Sequence, residues 1–357
     1  MNIGLVGWGC TTGNGGMNSD LATLASWISH WLVPEHPKLP NHLPYLERAK
    51  AVGTIVIESS LNDNFDIVDS FLNNVDGIIY IEHPCYKNDK YNIVLEAKKR
   101  NKLVIGIPMW EWWPERKDWA LATDILWAVT KFTENYLNSL SNVLFAHGWV
   151  HNWKGKVIYS RWGVDLNSFP FKQRHKAERF IFINGNGGYK MRKASDIVAK
   201  AFSLPGAPPL TVYSQQKDQI ALFTSHNVNV IHKNFPDRKD VYSDGDVFLF
   251  PSYWEGLCHG IYEGQAVGGL VITTDIAPMN ECGTPYLIPV EKYMQEDLSG
   301  KKILKAVPSY HRLFDIAISI YNSNIKNASI TNRKYIEKEF NLEVNLLLFY
   351  KKLQELA

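Results

Sequence analysis

Phe250 to Thr274 reads FPSYWEGLCHGIYEGQAVGGLVITT. Val247 to Phe250 leads into this stretch and Leu270 to Ile272 lies near its end. Both are apolar runs short enough to be buried strands. Between them Gly256 and Gly260 thin out the backbone, and Ile261 to Val267 suits a helix. The order strand, glycine-bearing loop, helix, strand belongs to an open α/β sheet. Ligands of such sheets bind at the carboxyl ends of strands, beside helix N-termini. Glu255 and Glu263, eight positions apart, both fall there. Carboxylates accept hydrogen bonds from hydroxyls, so a pair of them beside such a loop suits a sugar. Two glutamates at this spacing also occur on solvated helix faces. The Pro-Ser, glycine and double-strand context separates this stretch from that bland case.

Working back toward the N-terminus, Arg179 to Asn184 reads as a strand. The turn GNGGYKMRKASD, residues 185 to 196, then opens a helix from Ser195 to Phe202. Glycines such as Gly187 let a backbone approach a phosphate, and Lys190, Arg192 and Lys193 supply positive charge. Cations at a helix N-terminus oppose the macrodipole, a conflict that a nearby anion relieves. The competing possibility is a solvated basic helix start. Leu210 to Tyr213 and Val228 to His232 complete the strands of this half.

The first half alternates in the same way. Strands are expected at Asn2–Val6, Gly53–Glu58, Gly77–Glu82 and Lys102–Ile107. Helices are expected at Ser19–Leu32, Asp66–Asn73 and Tyr91–Arg100, with GWGCTTGNGG (residues 7 to 16) as a loop. Trp119–Leu140 reads as helix, strand (Asp124–Val129) and helix (Thr133–Ser141), and Asn142–Ala146 and Lys156–Ser160 as short closing strands. Alternating βα units imply parallel sheets with helices on both faces. RWGVDLNSFPFKQR, residues 161 to 174, fits an interdomain linker, and Leu342–Leu356 an amphipathic last helix. The expected organisation is two Rossmann-like domains, residues 1–168 and 169–335, with a C-terminal helix over 336–357.

Composition narrows the function classes. A chain of 357 residues points to about two domains. A formal net charge of +2 does not demand nucleic acid. Cys10, Cys85, Cys258 and Cys282 are widely spread without a C-x-x-C pair, which disfavours a zinc site or disulfide framework and fits a reducing cytoplasm. The opening Met1 to Gly7 lacks the basic region of a secretory signal, and no run of eighteen apolar residues suits a membrane span. The twelve tryptophans suit packing, with a minority available as flat platforms for a sugar or base.

The 250–274 stretch resembles the donor-binding motif of retaining GT-B glycosyltransferases of the GT4 type. Pro251, Ser252, Glu255, Gly256, Glu263, Ala266, Gly268, Val271 and Ile272 match the family's P-S-x-x-E-G and E-x7-E pattern. Cys258 stands where the family usually has Gly, and Gly264 where it usually has Ala. Gly163, Val164, Asp165 and Phe169 resemble the segment that ends the first GT-B domain, and Tyr242-Ser-Asp-Gly-Asp a step before the donor strand. The resemblance implies two domains facing a cleft, the donor mostly on the second domain, the acceptor mostly on the first, and a C-terminal helix that crosses back to the first domain.

It also implies roles. Glu255 contacts donor sugar hydroxyls and Glu263 holds the nucleotide ribose. Lys193, followed here by Ala194 rather than the family's Gly, neutralises the departing diphosphate, with Lys190 or Arg192 beside it. Backbone from Leu257 through Cys258, His259 and Gly260 to Ile261 cradles the diphosphate, although a lone histidine such as His259 is more often structural. Gly15 and Gly16 match a glycine pair in a loop that faces the donor phosphate and the acceptor. Glu111, in PMWEWWPE after a strand, stands where the family often places a histidine. Between tryptophans its carboxyl is expected to have a raised pKa, unless the corner is packing with an exposed Glu. His147 is a weaker polar candidate.

The implied reaction is metal-independent transfer from a nucleotide-sugar co-substrate, with no further cofactor. Asp244-Gly-Asp246 is read as closing a turn rather than binding metal. The acceptor stays open among a small molecule, a glycan and a lipid-linked sugar. A hydroxymethylated base in DNA is a rival acceptor. A non-catalytic nucleotide-sugar binding module, an epimerase and a phosphorylase are the rival functions.

Overall fold

The computed structural model describes residues 1–60, 66–85, 92–112, 118–146, 153, 155–185, 191–233, 235, 237–298 and 301–356, and side chains of 140–146 are not among them. The chain divides into two units, Met1–Trp162 with Leu342–Ala357, and Gly163–Asn341.

The first unit runs β1 (Ile3–Val6), α1 (Gly13–Leu24), β2 (Ile28–Pro34), α2 (Leu43–Ala51), β3 (Ile55–Ser59), α3 (Asp66–Asn73), β4 (Gly77–Ile81), α4 (Ile93–Lys99), β5 (Leu103–Ile107), α5 (Asp118–Leu121), β6 (Ile125–Ala128), α6 (Lys131–Ala146) and β7 (Lys156–Tyr159). Its sheet is parallel in the order β3-β2-β1-β4-β5-β6-β7. Every residue of β1, β4 and β6 is buried, as a strand covered on both faces requires. The chain's last helix, Leu342–Gln354, also belongs to this unit. Its Phe349 stacks on Trp127 with centroids 3.7 Å apart and planes 7° from parallel. Asn345 donates to the Trp162 carbonyl at 3.0 Å.

The second unit runs β8 (Phe180–Gly185), α7 (Ser195–Phe202), β9 (Leu210–Ser214), α8 (Lys217–Ile220), β10 (Val228–His232), β11 (Val247–Phe250), α9 (His259–Ala266), β12 (Leu270–Thr274), β13 (Tyr286–Ile288), β14 (Val290–Leu298), β15 (Lys301–Pro308), α10 (Tyr310–Ile320) and α11 (Lys326–Glu339), so the C-terminal Leu342–Gln354 is α12. Its sheet is parallel in the order β10-β9-β8-β11-β12-β13, and β14 and β15 form a separate antiparallel pair. In each sheet the strand order reverses once, between β1 and β4 and between β8 and β11. Those points open a crevice at the strand carboxyl ends.

Three expectations fail in the first unit. The helix expected over Ser19–Leu32 begins earlier, at Gly13, and stops at Leu24, and Ile28–Pro34 is a strand. Trp27, Ile28, Trp31, Leu32 and Val33 are all buried, and short apolar runs like these suit a two-sided parallel strand as well as a helix. Gly13 to Gly16 are therefore helical rather than loop. Thr12 caps α1 by accepting from the Gly15 N–H at 3.0 Å, and a Cβ at Gly15 would lie 1.9 Å from the Cys10 carbonyl oxygen. Asn142–Ala146, expected as a strand, is the last part of α6. Among the described residues no helix is long and apolar enough to cross a membrane.

Candidate active site

The site is built at the strand-order reversal of the second unit, where β8 and β11 pair side by side. The turn before α7 and the loop before α9 both leave the sheet at this edge. Both helices start from a left-handed, non-glycine residue, Ala194 at φ 57° and Cys258 at φ 58°, and neither has a side-chain cap. Met191 is left-handed too, at φ 55°. Such backbone costs about 1–3 kcal/mol per residue and gathers at functional sites. Helix starts without side-chain caps present N–H groups and the positive end of the dipole to an anion.

Backbone bonds clamp the two loops together. The Tyr253 N–H donates to the Arg192 carbonyl at 2.8 Å, and the Tyr253 hydroxyl to Asp196 at 2.5 Å. Thr274 holds the Ser252 carbonyl at 2.8 Å from β12. Gly260 lets α9 lie on β11, since a Cβ there would meet the Phe250 ring at 2.3 Å.

This clamp brings Glu255 onto the cations. Its Oε1 accepts from Lys193 Nζ at 2.6 Å and from Ser252 Oγ at 2.7 Å, and its Oε2 lies 3.4 Å from Arg192 Nη1. Burial of Glu255 works against its charge, but Arg192, Lys193 and Ser252 more than offset it and lower its pKa to about 2. Glu255 is the anion that the cations at the start of α7 require.

Glu263 is likewise buried and paired. Tyr242 donates to its Oε2 at 2.7 Å and Arg238 Nε lies 3.1 Å from its Oε1. Burial and the adjacent carboxylate push the Tyr242 phenol well up, so it stays a donor. His259 is half-buried, with its Nε2 enclosed. Burial, followed by Arg238, lowers its pKa to about 3, so the ring is neutral at ordinary pH. Burial and Glu255 push the Cys258 thiol up, which makes it unreactive. Leu257 is buried, and the Ile261 N–H is spent on the Cys258 carbonyl at 3.1 Å.

The remaining candidates belong to the first unit or fall outside the described residues. Gly15 and Gly16 occupy the first turn of α1, and Glu111 follows β5, all in the first unit. Glu111 is 2 % exposed, which rules out the exposed packing corner. Gly187, Lys190 and His147 lie outside the described residues. Asp246 is buried and bridges to Arg179 at 2.7 and 3.0 Å, so it ties β8 to β11 at the opposite end of the sheet.

Arg238 and Trp254 were missed by sequence reasoning, and Ser252 was read only as a motif residue, without its bond to Glu255. Ser252 lay in plain view three residues before Glu255. Arg238 offered no local signal, because its partner lies beyond β11. The Trp254 indole N–H is buried without a hydrogen-bond partner among the described residues.

Residues 181–299, which span β8 to β14, match the family model described as glycosyl transferases group 1. No curated protein matches the sequence. Solved structures resemble it over nearly the whole length. A glycosyltransferase from Rickettsia africae ESF-5 is 14% identical, with 99% of this chain and 98% of that one covered and a TM-score of 0.63. A sucrose-phosphate synthase from Thermosynechococcus elongatus is 14% identical over 100% and 99%, with a TM-score of 0.64. The trehalose-6-phosphate protein of E. coli bound with UDP-2-fluoro glucose is 11% identical over 100% of both chains, with a TM-score of 0.62. At these identities the likeness is one of fold. The chain has the GT-B fold of two Rossmann-like parallel-sheet units, and residues 181–299 of its second unit match the group 1 glycosyltransferase model.

Proposed function

We propose that this chain is a retaining, metal-independent glycosyltransferase that moves a sugar from a nucleoside-diphosphate donor to an acceptor hydroxyl. The observation that carries this reading is the Lys193–Glu255–Arg192 cluster at the strand-order reversal, with Glu263 one helix away. Lys193 and Arg192 both reach this carboxylate and bring positive charge to the place the donor diphosphate would take. When the diphosphate enters, Lys193 and Arg192 turn to its oxygens, and Glu255 is released to accept from donor sugar hydroxyls. Glu263, fixed by Tyr242 and Arg238, accepts from the ribose hydroxyls.

The bond between the sugar anomeric carbon and the diphosphate oxygen then breaks. The acceptor oxygen bonds to that carbon on the face the diphosphate leaves, and the acceptor proton passes to the departing phosphate oxygen. Lys193, Arg192 and the two helix starts stabilise the charge that develops on the leaving group, the work a metal does in other transferases. Preorganised groups of this kind contribute most where water is excluded, and loss of one typically costs about 10²–10³ in turnover.

The test is product analysis. The protein is incubated with a panel of nucleotide sugars and neutral acceptors, with and without a chelator, and the new glycosidic linkage is assigned by proton NMR. Retention of the donor configuration with chelator present supports the proposal. Inversion, or activity abolished by chelator, overturns the retaining or the metal-independent part respectively.

A further inference from the structure

Two residues of the segment that opens the second unit act on the partners of Glu263 from outside the site. Asp165 turns the chain there, accepting from the Asn167 N–H at 3.0 Å and from the Ser168 hydroxyl. Phe169 follows and is fully buried. Its ring centre lies 5.2 Å from the Arg238 guanidinium, and it meets the Tyr242 ring edge-on at 5.8 Å. Further on, Arg174 is only 2 % exposed. Its Nη2 donates to the Tyr242 carbonyl at 3.0 Å and its Nη1 to the Ser243 carbonyl at 3.3 Å. Between the two, Lys172 ties the segment to the end of α9. Its N–H donates to the Val267 carbonyl at 3.2 Å and its Nζ to the Ser243 carbonyl at 3.3 Å.

Arg238–Tyr242 is a short 3₁₀ helix, and it carries two partners of Glu263, Arg238 at its start and Tyr242 at its end. A helix end leaves carbonyls without partners inside the helix, and a cationic side chain satisfies them well. Arg174 does so from a distant stretch of chain. The position is a costly one for a guanidinium. Burial lowers the Arg174 pKa, and Asp246, the acid that most favours its charge, is bonded to Arg179 at 2.7 and 3.0 Å instead. A buried cation is costly unless its donors are used, and both Nη groups are used on the helix that holds Glu263.

We infer that Phe169 and Arg174 are positioning residues for Glu263, and that through Arg238 and Tyr242 they set a preference for a ribose over a deoxyribose. The preference rests on the proposed donor reading, whereas the bracing of the 3₁₀ helix does not. A carboxylate holds a vicinal diol through both of its oxygens, so its plane has to be fixed. Arg238 at Oε1 and Tyr242 at Oε2 fix that plane. Loss of the Tyr242 hydroxyl alone leaves Arg238 and the helix in place. Loss of Arg174 frees the end of the helix and lets both partners shift together.

The test uses the full chain, Arg174→Met and Phe169→Leu. Calorimetry compares UDP, GDP, ADP and CDP, each with its 2′-deoxy form. The parent should prefer the ribose form by roughly 10-fold or more, as a hydrogen bond to a charged group allows. Arg174→Met should cut that preference at least 5-fold and Phe169→Leu at least 2-fold, while affinity for the deoxy form stays close to the parent's. In a Glu263→Ala background neither substitution should weaken binding further, because the effect passes through that carboxylate. A merely structural role would lower the melting temperature and leave the preference intact. If Arg174→Met does not fold, Arg174→Lys takes its place, with a loss of preference of at least 2-fold expected. Hydrogen exchange is read in parallel, and Arg174→Met or its replacement should speed exchange of the amides of residues 239 to 243. Unchanged exchange overturns the brace. An unchanged preference in the variants, or a parent that binds both forms alike, overturns the positioning role and leaves the donor reading standing. A parent that binds no nucleoside diphosphate sinks the donor reading and the ribose preference together, and exchange alone then decides the brace.

Discussion

Lys193 Nζ donates to Glu255 Oε1 over 2.6 Å, although 62 positions separate the two residues. The contact joins the start of α7 to the loop before α9, and it makes the carboxylate a resident competitor for the charge that a diphosphate needs. Glu255→Gln should therefore lower kcat by about 100-fold or more, because the sugar loses its acceptor of hydrogen bonds. It should also tighten binding of a free nucleoside diphosphate several-fold, since the cations are no longer shared. Calorimetry and steady-state kinetics on one preparation check both. Weaker diphosphate binding in the variant would end the competition model.

Glu263→Ala should weaken nucleoside diphosphate binding at least 10-fold, through loss of the ribose contact. Tyr242→Phe keeps the carboxylate and loses one buried hydrogen bond, a stability loss of about 1 kcal/mol. Its expected signature is a lower melting temperature with nucleotide affinity nearly unchanged. Parallel losses of affinity in both variants would reassign Glu263 to a purely structural role.

Two groups of this site make stability fall with acid, in different pH windows. His259 is held down at about 3, below its ordinary 6.5, so the unfolded chain binds the extra proton first. Its contribution is full above 6.5 and is lost as pH falls from there toward 3. Glu255, held at about 2 against an ordinary 4.5, contributes fully above 4.5 and loses that contribution as pH falls toward 2. In denaturant titrations His259→Gln should flatten the stability profile between pH 6.5 and about 5, and Glu255→Gln only below about 4.5. Identical profiles in variant and parent would contradict these assignments.

Gly15→Ala should destabilise the first unit by about 1–3 kcal/mol, the usual range for overpacking, because its Cβ would strike a backbone carbonyl at 1.9 Å that cannot move aside. Nucleotide affinity measured well below the melting temperature should be unchanged. A stable variant with lost affinity would instead support the phosphate-facing role expected of Gly15.

The second unit was more legible than the first, for reasons that lie in particular residues. Strand signals at Val247–Phe250 and Val228–His232 and the helix signal at Ser195–Phe202 coincide with the observed elements. Each is a compact apolar pattern bounded by glycine or charge. Ile28–Pro34 was misread because its apolar residues continue the helical pattern of α1 with only Ala25, Ser26 and Trp27 between. The β14–β15 hairpin went unread because exposed Lys292, Tyr293 and Met294 give it little alternation.

The departures of Cys258 and Ala194 from the family's glycines become intelligible only in three dimensions. Both stand at left-handed positions that glycine takes without strain. The ion pairs of Glu255 and Glu263 were beyond sequence reading, since no spacing rule places Arg192 or Arg238 against a carboxylate on another element.

Calorimetric titration of UDP, GDP, ADP, CDP and dTDP against the parent protein and Lys193→Met goes most directly to the reading of the second unit as a donor site. One nucleoside diphosphate should bind the parent, and its affinity should fall at least 10-fold in Lys193→Met while the melting temperature stays within a few degrees. Absence of binding by every nucleoside diphosphate, or equal affinity in parent and variant, would contradict the assignment of Lys193 and its neighbours to the donor diphosphate.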